Sequence, residues 1–559
     1  MNLNLTIKTK QKDQLIINFI DENIFNDKIN YLENSNELLK VIKDIDFFNF
    51  NMEELVNIRN FLFQNQNKFT KNVDLIILIA LLEKYFKMNN VALEWLNHIL
   101  SFDINNIEAI REIGLLFAEI GNNLDALKHF QKIIEIEKND HAAWNDGACV
   151  LRALGDKKAS LEWMKESSKY VKKASIFANI GLLEYEVANY EEAQKALDEA
   201  FSIDANLAEG LHTQAMLLSS MGRHKEAYEY ELKALESKPE YSQARLGLGL
   251  IALLLGDYKE GFSGYEYRWV GSDQSHTKTM ISINRPWWLG QKVYKSSSIV
   301  ITAEQGFGDM VQFARFIPLL KKYFHKIFWL VPPELEKLMN NSFQDDNIVI
   351  LIDSARLDPR KVDFELPLMS LGLALNITLK NLPAKEQYIY AELETIEKWS
   401  KKLENIKGLK VGIAWTGNST LGKHELRSIE AKLLSTIDIP NVNFFSLQKF
   451  SKNEMIELPS FNNFYNFMED CSDFNETAGL ISNLDIVISV DTVIAHLAAS
   501  LGKKTWLLNR FGSEWRWLDA REDSPWYPTM KIFNQLKLKD WKTVLENVKI
   551  ELEHEINKI

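Results

Sequence analysis

The pattern of apolar, small and polar positions changes character once along the chain. Up to about residue 266, small residues recur inside helical segments: Ala80, Gly114, Gly147, Gly181, Ala215 and Gly249 form one series, and Ala92, Ala126, Ala159, Ala193, Ala227 and Gly261 a second. Both series step by 33 or 34, and in each unit the second small residue follows the first by twelve positions. This predicts helix pairs, with each small residue marking a close approach that excludes bulk. Gly121, Gly155, Gly222 and Gly256 mark the turns. Beyond the repeats, short continuous apolar runs alternate with helical segments: SSIVITA (297–303), KIFWLV (326–331), NIVILI (347–352), LKVGIAW (409–415), NFFSLQ (443–448), LDIVISV (484–490) and KTWLLN (504–509). Such runs predict parallel strands covered on both faces.

The first half resembles the tetratricopeptide repeat family, whose later small position appears as Ala200 and Ala234 and whose closing proline appears as Pro239. The resemblance implies a helical solenoid over residues 73–266, with a concave surface for an extended peptide or a partner domain. Residues 1–72 read as a helical N-terminal cap region. The polar stretch after YEYRW (265–269), ending at RPWWLG (285–290), reads as a linker over 267–296. Two Rossmann-like lobes follow, 297–395 and 396–559. The fold class is therefore α + α/β.

At 559 residues the chain is too long for one ordinary core. The net charge of -12 argues against nucleic acid as a partner, although a local basic pocket can still hold one small anion. Cys149 and Cys471 lack metal or disulfide-framework spacing. No apolar stretch approaches the ~18 residues of a membrane span, and no signal pattern opens the chain, so the expected location is the cytoplasm.

In parallel sheets ligands bind beyond the carboxyl ends of strands. Three strand-to-helix turns carry chemistry. In SVDTVIAHLAASLGK (489–503), Asp491 or Thr492 is the expected N-cap, 493–501 the helix and Gly502 its stop. The amides of Val493, Ile494 and Ala495 then form a helix start suited to a diphosphate, with His496 on the same side. In AEQGFGDMVQFARFIPLL (303–320), Gln305, Gly306 and Gly308 form a tight turn. Asp309 opens the next helix, where a carboxylate suits proton abstraction better than phosphate binding. In GIAWTGNSTLGKHELRS (412–428), the strand ends at Trp415, Gly417 begins a polar loop, and Lys423 and Arg427 are candidate phosphate partners.

Together with YEYRW, PWWLG, SLQK and WRWLDAREDSPWYPTMKIF, these segments resemble the two-lobed GT-B glycosyltransferases, specifically the heptosyltransferase-like domain that bacteria fuse to tetratricopeptide repeats. The resemblance covers residues 262 to about 545. It implies a nucleotide-sugar held by the second lobe at Asp491 to His496, an acceptor held by the first lobe, and Asp309 as general base. It also implies inverting transfer without a metal or other cofactor. His496, if protonated, would stabilise the leaving diphosphate together with Lys423 or Arg427. A UDP-sugar is preferred over an ADP-sugar as donor, with a protein, peptide or glycan acceptor brought by the repeats, which also offer a surface for a homodimer. Trp515, Arg516, Trp517 and Trp526 stand as candidates for stacking on a base or sugar. The Asp44-Ile45-Asp46 triplet reads as surface. Two alternatives stay open: a catalytically silent repeat scaffold with a retained domain of this type, and a sugar-nucleotide epimerase.

Overall fold

A computed structural model describes residues 55–56, 59–60, 62–63, 71–271, 282–304, 306–417, 424–449 and 457–558. Most of the expected cap region, the Asp44-Ile45-Asp46 triplet, Gln305 and Lys423 lie outside them. The chain divides into two compact units, Met1–Ala205 and Asn206–Ile559. That division falls within the expected 73–266 array.

In the first unit, helices α1 (Val73–Tyr85), α2 (Asn89–Phe102), α3 (Ile107–Glu119), α4 (Asn123–Ile136), α5 (His141–Ala153), α6 (Lys157–Ser167), α7 (Ala174–Glu186) and α8 (Tyr190–Ile203) follow one another. The second unit begins with α9 (Ala208–Ser220), α10 (His224–Ser237), α11 (Ser242–Leu255), α12 (Tyr258–Tyr265) and the short α13 (Arg268–Gly271). The small-residue series does what its spacing implies. A Cβ on Gly147 would lie 2.6 Å from the Trp163 ring, and one on Gly249 would lie 2.6 Å from the Gly264 backbone. Gly155 and Gly256 take the left-handed conformation at their turns, with φ of 82° and 88°. In the same register Lys87 and Ala188 adopt φ of 62° without being glycine.

The rest of the second unit holds two sheets with every strand pair parallel. The first contains β1 (Ser298–Thr302), β2 (Lys326–Leu330), β3 (Ile348–Leu351) and β4 (Phe364–Pro367) in the order β3-β2-β1-β4. The second contains β5 (Leu409–Ala414), β6 (Val442–Ser446), β7 (Phe464–Asn466), β8 (Ile486–Val490), β9 (Lys504–Asn509) and β10 (Met530–Asn534) in the order β10-β9-β8-β5-β6-β7. β1, β5 and β8 are buried almost throughout, as continuous apolar runs require. The α-helices of this region as far as Ser500 are α14 (Phe307–Phe313), α15 (Glu336–Ser342), α16 (Leu371–Ala374), α17 (Leu393–Leu403), α18 (His424–Arg427), α19 (Phe474–Ser482) and α20 (Val493–Ser500), of which α14, after β1, and α20, after β8, matter for the site.

Two expected boundaries differ. Of the expected linker 267–296, the described residues 267–271 and 282–296 pack on the fold: Arg268 and Trp288 are buried, and Trp287 bridges to Glu365 of β4. The reason is apolar and ionic: Trp288 packs edge-on against Phe324, and Arg268 pairs with Glu304. The chain reaches the second sheet's layer before residue 395. Gln387 bridges to Leu501, and the Tyr388 amide donates to the Ser500 carbonyl at 3.1 Å.

Candidate functional site

Strand order fixes where a ligand crevice opens. From β1 the chain runs outward through β2 and β3 on one side, then returns to place β4 on the other. From β5 it runs through β6 and β7, then returns to β8, β9 and β10. Each reversal splays the loops at the carboxyl ends of two neighbouring strands. In the first sheet these loops follow β1 and β4. In the second they follow β5 and β8, so all three chemically loaded turns stand at a reversal.

The β1 and β8 turns meet. A Cβ on Gly308 would lie 2.9 Å from His496 Cδ2 and 3.6 Å from Val493 Cα, so glycine is what lets α14 approach α20 this closely. Asp309 sits in the first turn of α14, and its Oδ2 accepts the Gly306 amide at 3.2 Å. Its Oδ1 accepts from Nη2 of Arg516, a residue expected only to stack on a base or sugar. Arg516 Nη1 donates to Glu514 Oε1 at 2.7 Å, while Arg516 Nε is buried and has no partner among the described residues. Burial opposes the charge on Arg516, but Asp309 and Glu514 outweigh it and hold the guanidinium well above its ordinary range.

Thr492, not Asp491, is the N-cap of α20: its Oγ1 accepts the Ile494 amide at 3.3 Å and its carbonyl accepts the Ala495 amide at 3.1 Å. Two of the three amides expected to face a diphosphate are thereby engaged, which leaves the Val493 amide. Gly502 ends the helix as expected, with φ of 75°. Burial and Glu514 push the Asp491 carboxyl up, with Arg516 and Arg427 pulling against them.

His496 departs from the expected cationic role. Its side chain is buried, stacked on Trp517 with 4.9 Å between centroids, and its Nδ1 lies 2.9 Å from Tyr527 Oη. Burial, then repulsion from Arg516 and Arg315, push its pKa well below the ordinary histidine range, so the ring is neutral at pH 7. It seals the approach of the two helices.

After β5, Trp415 is buried in the core beneath the turn. The Gly417 amide donates to Ser428 Oγ at 3.2 Å, and a Cβ there would lie 2.3 Å from Arg427 Nε. Glycine thus makes room for the Arg427 guanidinium, whose Nε is buried without a partner among the described residues. Trp515, Trp517 and Trp526 are buried, so packing explains them better than base stacking. Trp526 Nε1 donates to Tyr258 Oη of α12 at 2.7 Å.

Sequence reasoning missed the ionic node beneath β1. Arg268 donates through Nε and Nη2 to Glu304 at 2.8 and 3.0 Å, through Nη1 to Glu266 at 2.8 Å, and through Nη2 to Ser370 Oγ at 2.7 Å. Glu304 also accepts the Met369 amide at 2.7 Å. The node ties α13 to the β1 and β4 turns at the first reversal. Its only sequence signal was the arginine within YEYRW.

A family model described as tetratricopeptide repeat matches residues 212–276. Protein FlbA of Caulobacter vibrioides is 21% identical over 453 residues, covering 76% of this chain and 74% of that one. The human protein O-mannosyl-transferase TMTC1 is 32% identical over 87 residues, 16% of this chain, which spans only 10% of that relative. Among solved structures, TTC0263, a thermophilic TPR protein of Thermus thermophilus, is 19% identical with a TM-score of 0.27, covering 32% of this chain and 98% of that one. Among the described residues no helix is long and apolar enough to cross a membrane. The chain carries tetratricopeptide repeats, followed by a parallel-sheet α/β region.

Proposed function

We propose that the α/β region is a GT-B-type glycosyltransferase, which moves a sugar from a nucleotide-diphosphate sugar to an acceptor hydroxyl recruited by the repeats. The observation that carries this reading is the meeting of the β1 and β8 turns, each at a sheet reversal, around Asp309, Arg516, Arg427 and Asp491. Asp309 bonds Arg516, and Arg516 and Arg427 both act on the charge of Asp491, so a base for an acceptor hydroxyl stands with cations suited to a diphosphate. Asp309 takes the acceptor O–H proton as the acceptor oxygen bonds to the anomeric carbon. The bond from that carbon to the diphosphate oxygen breaks, and its electron pair stays on the diphosphate. Arg516 and Arg427 stabilise the charge that develops there, with the Val493 amide as a further donor. His496 is neutral and acts by packing, not as a cation. Similarity to a protein named as an O-mannosyl-transferase supports a protein hydroxyl as acceptor, over the short stretch that it covers.

A second reading is a repeat scaffold without turnover. It is favoured by the close contact of Gly308 with His496 and by the engagement of both Asp309 oxygens. Calorimetric titration of the whole chain with UDP, ADP, GDP and dTDP separates the two readings. Selective binding of one nucleotide, followed by transfer from the matching sugar donor, is the expected result. Binding of none of the four would overturn the transferase reading in favour of the scaffold.

A further inference from the structure

Arg516 is the cation closest to the expected base, and its bonds are organised unlike those of a structural arginine. Each of its two terminal nitrogens touches one carboxylate, Asp309 through Nη2 and Glu514 through Nη1. Its Nε is buried without an acceptor among the described residues. Glu514 is fixed by its own turn, since its Oε2 accepts the Arg516 amide at 3.1 Å, so this carboxylate holds the guanidinium in place. Asp309 is fixed separately through the Gly306 amide and does not need Arg516 to keep its position on α14. A second guanidinium, that of Arg427, also has a buried Nε without a partner among the described residues and lies against the Gly417 backbone. Both arginines are within electrostatic reach of Asp491, at the entrance to α20. Two guanidinium groups that act on the charge of Asp491, each with a buried N–H that has no partner among the described residues, suit an oxyanion with several oxygens.

Resting on the transferase reading, we infer that Arg516 is a donor-operated latch. Without nucleotide it masks Asp309, and a nucleoside diphosphate entering between Arg516 and Arg427 draws the guanidinium away and frees the carboxylate to accept a proton. The diphosphate carries more charge than one carboxylate and offers the fork of Arg516 two oxygens at once, so it wins the competition. The base is exposed only once the donor is bound. Donor therefore binds before acceptor, and Asp309 opposes donor binding in the resting protein.

The test is calorimetric titration of inorganic pyrophosphate and of UDP and ADP into the whole chain and its Asp309→Asn, Asp309→Ala, Arg516→Lys and Arg427→Gln variants, each checked for folding by thermal melting. Removing the competing carboxylate should tighten pyrophosphate and nucleotide binding on the order of tenfold, and each arginine variant should weaken it by a similar factor. The second substitution at position 309 serves if the first fails to fold. If both variants at 309 bind as wild type does while Arg516→Lys binds weakly, the latch is overturned and the transferase reading stands. Undiminished binding by Arg516→Lys also overturns the latch. If no variant binds any of the three ligands, latch and transferase readings fall together.

Discussion

Arg268, buried, and Arg516, partly buried, each stand between two carboxylates in the same unit, yet their hydrogen bonding is opposite in kind. Every nitrogen of the Arg268 guanidinium has an acceptor: Glu304 twice, Glu266, Ser370 Oγ and the Tyr265 carbonyl. Its carboxylate partners outweigh burial and raise its pKa. Arg516 holds one oxygen of Asp309 and one of Glu514, and its Nε is left over. A buried cation whose donors are all matched has no capacity for a ligand and serves the fold. One with an unmatched donor carries a standing cost that a ligand can relieve.

The largest expected effect breaks that contrast or confirms it. Glu304→Gln leaves the Arg268 charge without its main partner in a site where both side chains are only 1% exposed, so it should cost roughly 3–5 kcal/mol in a urea titration. Asp309→Asn should cost about 1 kcal/mol or less, because Glu514 still neutralises Arg516 and the pair is more exposed, at 18% and 11%. Equal losses in the two variants would mean that both arginines serve the fold alike.

How much of this was legible beforehand follows from the range of each interaction. The repeats were readable because a fixed register forces small residues wherever helices touch, as Gly147 against Trp163 shows. Lys87 and Ala188 lack the glycine signal of a turn, though their spacing matches Gly121 and Gly222. β4, β7 and β10 leave only weak strand signals: FELP ends in proline, FYN is three residues long, and MKIFN carries a lysine. Asp309 and the β8 turn stood out locally, as polar residues shortly after apolar strands. The Asp309 to Arg516 bond spans 207 residues and leaves no local pattern. The neutrality of His496 is also a tertiary property, set by burial and by two distant arginines.

The next effect in size sharpens the contrast on the cluster side. Gly308→Ala places a methyl group 2.9 Å from the His496 ring, which Trp517 and Tyr527 hold in place. The helices must then separate, at a cost of about 1–3 kcal/mol. This should appear as a lower urea midpoint and as faster hydrogen exchange at the β1 and β8 turns, with the amides around Arg268 unchanged. Exchange at those turns equal to that of wild type would show that the two turns do not bear on each other there.

Acid should act on the same side. The folded His496 resists protonation, because it is buried and because Arg516 and Arg315 repel a positive ring, whereas the unfolded chain protonates it near pH ~6.5. The unfolded state therefore binds more protons, and stability is full above that pH and falls as the pH drops below it, by up to about 1.4 kcal/mol per pH unit. His224, also depressed by burial despite Asp519 nearby, adds a loss of the same sign, so the wild-type slope contains both. His496→Gln removes one titrating group and keeps a side chain able to bond Tyr527 Oη. Urea midpoints at pH 7.5 and 5.5 should therefore converge in this variant relative to wild type. If the two proteins lose the same stability on acidification, the ring is already charged in the folded state. The arginines would then not govern it.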